Sequence, residues 1–185
     1  MKILVTGHKG FIGSHMAQYL IHKGHEVEGF EYVENVVPTV EPYDWVVHCG
    51  AISDTTERDI DKVWKQNYEF TMRLLQICDN YQTNIQLASS SAVYGPNKAF
   101  NEEDPCYPQT PYAWSKLLID KFLKDNGIDQ FPMLVQSFRY FNVYGPGLQG
   151  RVVDEFISKS LQNKKILING NGKQTRSFLF INDCI

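Results

Sequence analysis

The chain has 185 residues, of which 43% are hydrophobic and 21% are charged, and these proportions exclude a disordered or low-complexity protein. Lys and Arg number 18 against 21 Asp and Glu, a net charge of −3, which gives no electrostatic reason to expect nucleic acid or a membrane as partner. No apolar run approaches the roughly 20 residues of a membrane span, and the N-terminus does not resemble a signal peptide. The cysteines stand singly and the histidines lack metal-site spacing, so we expect a cytoplasmic protein without a metal.

Apolar runs alternate with helical patterns along the chain, which is typical of a parallel sheet with crossover helices. The predicted strands cover 2–6, 26–30, 44–48, 85–89, 133–138, 165–168 and 177–181, and the predicted helices cover 11–23, 59–80, 111–125 and 152–161. This order predicts a doubly wound, Rossmann-like α/β fold with helices on both faces of the sheet. Because such sheets bind ligands at the carboxyl ends of their strands, the residues that follow strands are the candidate site residues.

A glycine-rich turn follows the first predicted strand. Gly7, Gly10 and Gly13 have the spacing G-x-x-G-x-x-G, and an amphipathic helix follows at once. Glycine lets the backbone turn tightly and approach a pyrophosphate, while the helix start offers free N–H groups and a positive dipole end. Elsewhere three glycines would be an ordinary turn, but between a first strand and a helix they predict a dinucleotide-binding site.

Glu31 ends the second predicted strand, about 20 residues beyond the glycines, where dinucleotide-binding domains carry an acid. Its carboxylate can accept hydrogen bonds from the adenosine ribose and repels a 2′-phosphate, so it slightly favours NAD over NADP. The alternative is a solvated loop carboxylate, since Glu34 and Glu41 are nearby.

Tyr112 and Lys116 are four residues apart on a predicted helix and therefore lie on one face of it. A neighbouring ammonium favours the phenolate, which makes Tyr112 a candidate general base. Serines at 89–91 leave the end of a predicted strand, where a hydroxyl could bind a substrate oxygen. Each feature alone also has an ordinary explanation, as a helix with an exposed lysine or as a serine-rich loop.

In this order, on this fold, the motifs resemble the extended branch of the short-chain dehydrogenase/reductase superfamily, the NAD-dependent epimerases and dehydratases of nucleotide sugars. The resemblance covers nearly the whole chain. The segments that carry it are T-G-x-x-G-F-I-G-S at 6–14, S-S-x-x-V-Y-G at 89–95, P-Y-x-x-S-K at 111–116, R-Y-F-N-V-Y-G-P at 139–146, and 170–178. It implies an enzyme that binds NAD or NADP and a nucleotide sugar.

The resemblance also implies a set of site residues. The catalytic residues would be Ser90, with Ser91 as its alternative, Tyr112 and Lys116. The cofactor would be bound by Gly7, Gly10, Phe11, Ile12, Gly13, Glu31, Gly50, Ala51, Asn67, Ser89, Tyr112, Lys116 and Tyr140. The substrate would be bound by Ser90, Ser91, Asn142 and Arg176, with the Arg176 guanidinium forking onto the diphosphate.

The implied reaction is an epimerisation. Tyr112 would take a proton from a sugar hydroxyl as hydride leaves for the nicotinamide, Lys116 would hold the nicotinamide ribose, and Ser90 would orient the oxygen. The keto sugar would then be reduced from its opposite face. Dehydratases of this branch carry Asp-Glu where Ser91-Ala92 stand, which argues against dehydration. A reductase, a 4-epimerase and a non-catalytic dinucleotide-binding relative remain alternatives.

A narrower resemblance concerns the substrate. The segment 48–57, followed by Asn67-Tyr68 and by 74–78, is similar to the ADP-glyceromanno-heptose 6-epimerases. The run G-A-x-S-x-T-T-E within it is uncommon elsewhere in the branch, where A-A usually stands. An ADP-heptose is therefore the substrate that this segment favours.

Three departures from the family pattern stand out. The segment between Glu31 and Asp44 is too short for the strand and helix that the family has there, so we expect a sheet one strand shorter than usual. Gln149 or Arg151 stands nearest to the place where heptose epimerases carry a second acid/base lysine. We expect a Rossmann domain at 1–165 and only the start of a truncated substrate lobe at 166–185, with the rest of that lobe absent.

The family also implies a homodimer. Its two long helices, here 59–80 and 111–125, usually pair across a two-fold axis. Candidate contact residues are Phe70, Leu74, Trp114 and Leu118, although each could equally belong to the core.

Overall fold

The first 140 residues fold around a five-stranded parallel sheet with the strand order β2-β1-β3-β4-β5. The computed structural model describes residues 1–96 and 101–185. The strands are β1 Lys2–Thr6, β2 Glu26–Phe30, β3 Trp45–His48, β4 Asn84–Ser90 and β5 Val135–Tyr140. The flanking helices are α1 Phe11–His22, α2 Ile60–Val63, α3 Phe70–Tyr81 and α4 Pro111–Asp125. The predicted Rossmann-like α/β fold is confirmed.

The helices begin and end where local chemistry dictates. The Thr110 hydroxyl accepts a hydrogen bond from the Ala113 N–H and caps α4, whose first residue is Pro111. Proline is favoured there because its missing N–H would have no helical partner. Gly24, with a φ of 83°, follows the end of α1 in the left-handed conformation that glycine adopts without strain.

The segment between β2 and β3 contains no strand of the five-stranded sheet, as its length predicted. It folds back over the core instead. Val40 is fully buried in the cluster that contains Leu4, Val46 and Leu75, and Tyr43 packs against that cluster. A single apolar segment therefore covers this part of the core.

The predicted helix 59–80 is helical throughout but not regular. A π-helical segment, Trp64–Glu69, separates α2 from α3. Such segments contain one extra residue in a turn and are frequent at functional sites. Asn67, which lies in this segment, is wholly buried.

Residues 141–185 form a second compact unit. It contains β6 Asn142–Tyr144 paired in parallel with β7 Phe178–Phe180, together with α5 Val152–Leu161 and α6 Ile181–Cys184. The predicted strand at 165–168 is wrong: these residues are irregular, and the side chains of Leu167 and Ile168 are exposed. The functional division at residue 165 stays a prediction, because it concerns substrate binding rather than compactness.

The described part of the first unit also contains two short 3-10 helices, Ser91–Tyr94 after β4 and Ile128–Gln130 before β5. No helix in the described residues combines the length and apolar composition that crossing a membrane requires.

Candidate active site

The glycine-rich turn after β1 is closely packed against its own backbone and against the loop after β3. A Cβ on Gly13 would lie 2.1 Å from the Gly7 carbonyl oxygen, and one on Gly7 would lie 2.6 Å from the Gly50 backbone. Gly7 also has a φ of 69°. Only glycine fits at these two positions, and the backbone therefore turns tightly at the start of α1.

Glu31 lies beside this turn. Its Oε1 accepts a hydrogen bond from the Lys9 backbone N–H at 2.8 Å and lies 3.1 Å from the His8 Nδ1. The His8 ring fills the space where Gly29 has no side chain, because a Cβ there would lie 2.3 Å from the ring. The sequence placed Glu31 at the end of β2, and the structure brings its partly exposed carboxylate next to the glycine turn.

Lys116 and Ser90 are both placed by the carboxyl end of β4, through different partners. The Lys116 Nζ donates a hydrogen bond of 2.7 Å to the Ala88 carbonyl oxygen, and the side chain is buried. Burial lowers the pKa of Lys116 to about 8, although the nearby Cys49 and Asp120 oppose the shift. Ser90 caps the following 3-10 helix, and its Oγ accepts from the Ala92 N–H at 3.2 Å.

Tyr112 lies one helical turn before Lys116 on α4, partly buried. A serine hydroxyl, a phenol and a buried ammonium thus stand on two adjoining elements, β4 and α4, and their catalytic roles stay predictions. These groups can bind a substrate hydroxyl and move its proton. Ser91, the alternative to Ser90, is the first residue of the 3-10 helix and is partly buried.

An ion pair that sequence reasoning missed supports the same corner of the sheet. The Asp120 carboxylate, on α4, accepts hydrogen bonds from Ser89 Oγ at 2.9 Å, Ser137 Oγ at 2.9 Å and Arg139 Nε at 2.7 Å. Arg139 also donates to the Tyr94 hydroxyl at 2.9 Å. The buried Ser89 hydroxyl thus donates its only proton to Asp120. No short-range sequence pattern indicated this ion pair.

Asn67 fastens the loop after β3. It accepts from the Ile52 N–H at 2.8 Å and donates to the Ile52 carbonyl at 3.0 Å. Its amide also donates to Ser115 Oγ at 3.3 Å, and Ser115 donates to the Tyr112 carbonyl at 2.7 Å. The buried Asn67 is thus hydrogen bonded to the residue that follows Gly50 and Ala51. The cofactor-binding roles of these three residues stay predictions.

The remaining predicted residues are distributed over both units. Phe11 and Ile12 open α1, and Tyr140 ends β5 with its hydroxyl 3.3 Å from Gln86 Nε2. In the second unit, Asn142 donates to the Ser177 carbonyl at 2.9 Å, and the exposed Arg176 donates to the Thr175 carbonyl at 2.8 Å. The binding roles of Tyr140, Asn142 and Arg176 stay predictions.

Comparison with known proteins agrees with this arrangement. Residues 3–185 match the model of the NAD dependent epimerase/dehydratase family. The chain belongs to that family. A UDP-N-acetyl-alpha-D-glucosaminuronate decarboxylase of Bacillus cytotoxicus is 31% identical over 100% of this chain and 68% of its own length. An ADP-L-glycero-D-manno-heptose-6-epimerase of Alkalilimnicola ehrlichii is 29% identical over 99% of this chain and 69% of its own.

Solved structures of epimerases have the same fold. The UDP-glucuronic acid 4-epimerase of Bacillus cereus in complex with NAD superposes with a TM-score of 0.85 at 29% identity, covering 100% of this chain and 71% of that one. The family to which this chain belongs therefore comprises NAD-dependent epimerases, dehydratases and decarboxylases of nucleotide sugars, and the chain is an enzyme of this class.

The residues of this family member fit a dinucleotide. The backbone of this glycine cradle, Gly7 to Gly13, is packed too closely for a Cβ at Gly7 or Gly13, and α1 begins within it with no acidic residue in its first turn. Helix N-termini attract phosphate. The Glu31 carboxylate beside the cradle is an acceptor of the kind that adenosine ribose hydroxyls bind in dinucleotide sites.

We expect Gly13→Ala to destabilise the fold by about 2 kcal/mol, because its Cβ would overlap the Gly7 carbonyl and force the turn to open. Urea unfolding measures the loss, and NADH titration should show binding lost as well. Ser14→Ala, at the next position of the same helix, is the control and should keep both properties. Wild-type stability in Gly13→Ala would contradict the close packing of this turn.

Proposed function

We propose that this chain is an NAD(P)-dependent nucleotide-sugar epimerase whose catalytic residues are Ser90, Tyr112 and Lys116. The observation that carries the proposal is the buried Lys116 ammonium, which is hydrogen bonded to Ala88 of β4 and lies one helical turn after Tyr112, while Ser90 ends the same strand. Desolvating an ammonium costs free energy, and such perturbed groups cluster at functional sites.

Each of these residues has a distinct task in the proposed reaction. The Tyr112 phenolate takes the proton of a sugar hydroxyl and later returns it, and the Lys116 charge stabilises that phenolate. The Ser90 hydroxyl donates to the same sugar oxygen and fixes its direction. A nicotinamide dinucleotide, when bound, supplies the acceptor and donor of hydride. Because the Lys116 Nζ is hydrogen bonded to the Ala88 carbonyl oxygen, its position does not depend on the substrate.

The dinucleotide would be held by the residues that line the glycine turn and the loop after β3. These are Gly7, Gly10, Phe11, Ile12, Gly13, Glu31, Gly50, Ala51 and the backbone of Ser89, with Lys116, Tyr112 and Tyr140 at the nicotinamide end. Asn67 acts by holding Ile52. Asn142 and Arg176 would bind the nucleotide sugar.

The substrate we propose is an ADP-heptose. The similarity of segment 48–57 to heptose epimerases supports it, as does the 29% identical heptose epimerase. The acid/base pattern supports epimerisation over dehydration, because Ser91-Ala92 replaces the Asp-Glu pair that elimination requires. The proposal includes a cytoplasmic location and a homodimer.

The exposure of the candidate contact residues limits which of them can form the proposed dimer interface. Phe70 and Leu74 are core residues and cannot form a surface contact. Trp114 on α4 and Trp64 in the π-helical segment are 49% and 39% exposed. The interface we propose uses these tryptophans, and light scattering that shows only monomer at micromolar concentration would refute it.

The test is a substrate panel with NMR detection. The purified protein and NAD are incubated, in three separate reactions, with ADP-heptose, UDP-glucuronic acid or UDP-N-acetylglucosaminuronic acid. The expected result is an equilibrium of the two C6 epimers from the ADP-heptose alone. Epimerisation of UDP-glucuronic acid would instead make the chain a 4-epimerase, and release of carbon dioxide from a uronic acid would make it a decarboxylase. Saturable NADH binding without any turnover would make it a non-catalytic relative.

For cofactor choice, we expect Glu31→Ser to lower the preference for NADH over NADPH by about tenfold, because it removes the charge that repels a 2′-phosphate. Competitive fluorescence titration with both dinucleotides measures the ratio. Glu34→Ser is the matched control: Glu34 lies close in sequence but pairs with Lys65 at 3.1 Å. An unchanged ratio in Glu31→Ser would show that this carboxylate does not face the ribose.

A further inference from the structure

His48, the last residue of β3, is buried under the site, and both of its ring nitrogens are hydrogen bonded. Nδ1 lies 2.6 Å from Thr6 Oγ1, and Nε2 lies 2.7 Å from Thr71 Oγ1. We propose that His48 is a positioning residue that joins the glycine turn and the loop after β3 to the helix behind them, so that the cofactor surface is formed before any ligand arrives. This inference rests on the proposed dinucleotide-binding function.

The hydrogen bonds through His48 run in one direction. The Asn67 carbonyl can only accept, so the Thr71 hydroxyl donates to it at 2.6 Å. The Thr71 oxygen therefore accepts from the Nε2–H of His48. In the neutral ring this leaves Nδ1 to accept from the Thr6 hydroxyl, whose oxygen accepts from the Gly50 N–H at 3.4 Å. Each donor and acceptor between Gly50 and Asn67 is thus satisfied by a single arrangement of protons.

One end of this series of hydrogen bonds lies at the glycine cradle. Thr6 directly precedes Gly7, and the Gly7 and Gly50 backbones pack so closely that a Cβ on Gly7 would lie 2.6 Å from Gly50. Thr6 is held by His48 and in turn holds the Gly50 N–H. The separation of the two backbone segments that would face the dinucleotide is therefore set by a side chain beneath them.

The other end reaches the catalytic helix. Thr71 fixes the carbonyl of Asn67, while the Asn67 side chain binds Ile52 through both its N–H and its carbonyl. The same amide donates to Ser115, and Ser115 donates to the Tyr112 carbonyl. A displacement of Thr71 should therefore be felt at the loop after β3 and at the start of α4.

His48 acts through these neighbours and is not itself a catalytic residue. It is 1% exposed, and both nitrogens are occupied by threonine hydroxyls. Neither ring nitrogen is therefore available to exchange a proton with a substrate. What it provides is a fixed distance between β1 and α3.

The experiment interrupts this series of hydrogen bonds at Thr71, which is hydrogen bonded to neither the glycine cradle nor the catalytic side chains. Thr71→Val replaces the hydroxyl by a methyl group of similar size, and Thr71→Ser keeps the hydroxyl. Thr71→Val removes both hydrogen bonds of this hydroxyl, and we expect it to weaken NADH binding about tenfold, while Thr71→Ser should bind as the wild type does. Tryptophan fluorescence titration measures both dissociation constants.

A second readout requires no cofactor. Amide hydrogen exchange of Gly50 in the unliganded protein should be about tenfold faster in Thr71→Val than in Thr71→Ser, while the amides of β4 exchange alike in both. A purely structural role would instead accelerate exchange throughout the core and leave the dissociation constant unchanged. Thr71→Ala carries the same expectation and replaces Thr71→Val if that variant does not fold.

The outcomes separate this inference from the function on which it rests. NADH binding that is equally tight in wild type and Thr71→Val, with unchanged Gly50 exchange, would overturn the positioning role alone. Absence of NADH binding in the wild type would overturn the proposed function and the cofactor role of His48 with it. Weaker binding in Thr71→Val that Thr71→Ser restores supports the proposal.

Discussion

Replacing Tyr112 by phenylalanine is expected to lower turnover about 1,000-fold, within the range that a positioned general base contributes. The ring and its packing on α4 are kept, and only the oxygen that takes the proton is lost. Lys116 stays anchored to Ala88, and the glycine cradle is unchanged. The NADH dissociation constant should therefore remain within about twofold of the wild-type value.

The matched control for this variant is Tyr19→Phe. Tyr19 lies on α1, is 43% exposed and is remote in sequence from the catalytic motifs. It should keep full turnover with the nucleotide sugar. Activity that survives in Tyr112→Phe would show that another group takes the proton. A large loss of NADH affinity would show that the phenol binds the cofactor more than it catalyses.

The sequence predicted the fold best where an element is specified locally. The bounds of α4 and α5 match the predicted 111–125 and 152–161, because Thr110 and Pro111 mark the start of one and an apolar stripe defines the other. The strand predicted at 165–168 failed for the opposite reason. Its apolar residues are of the types that strands contain, but a strand also requires a neighbouring strand for its backbone hydrogen bonds. No local sequence pattern shows whether such a neighbour is present.

The same distinction applies to the site. Gly7, Gly13 and Glu31 could be found from the sequence because their spacing along the chain reflects a single turn and a single strand end. Asp120 and Arg139 could not, because their ion pair joins α4 to β5, and the hydrogen bonds of His48 join β1 to α3. Polar residues inside apolar runs, such as the histidine that ends β3, were the only available signal.

The buried His48 should make the protein sensitive to acid. Burial, aided by the Lys116 charge, lowers the pKa of His48 to about 3, while in the unfolded chain a histidine titrates near its ordinary value of about 6.5. At a pH between these two pKa values, His48 is protonated in the unfolded state and neutral in the folded state. Stability therefore falls as the pH falls through this window, and it is fully present above it.

For His48→Gln, we expect the acid-dependent loss of stability to be smaller than in the wild type by about 2.5 kcal/mol between about pH 7 and about pH 4.5. The amide can still accept and donate, but it does not titrate. Because the lower pH stays above the folded pKa, the expected difference depends chiefly on the unfolded pKa. Urea unfolding of both proteins measures it, and the shared carboxylates cancel in the comparison.

His22→Gln is the matched control, because it makes the same histidine-to-glutamine change at an exposed position in the last turn of α1. Parallel profiles for wild type and His48→Gln would mean that the His48 ring accepts a proton within the folded protein. The one-way chain of hydrogen bonds from Gly50 to Asn67 would then be wrong, since it has room for only one proton on that ring.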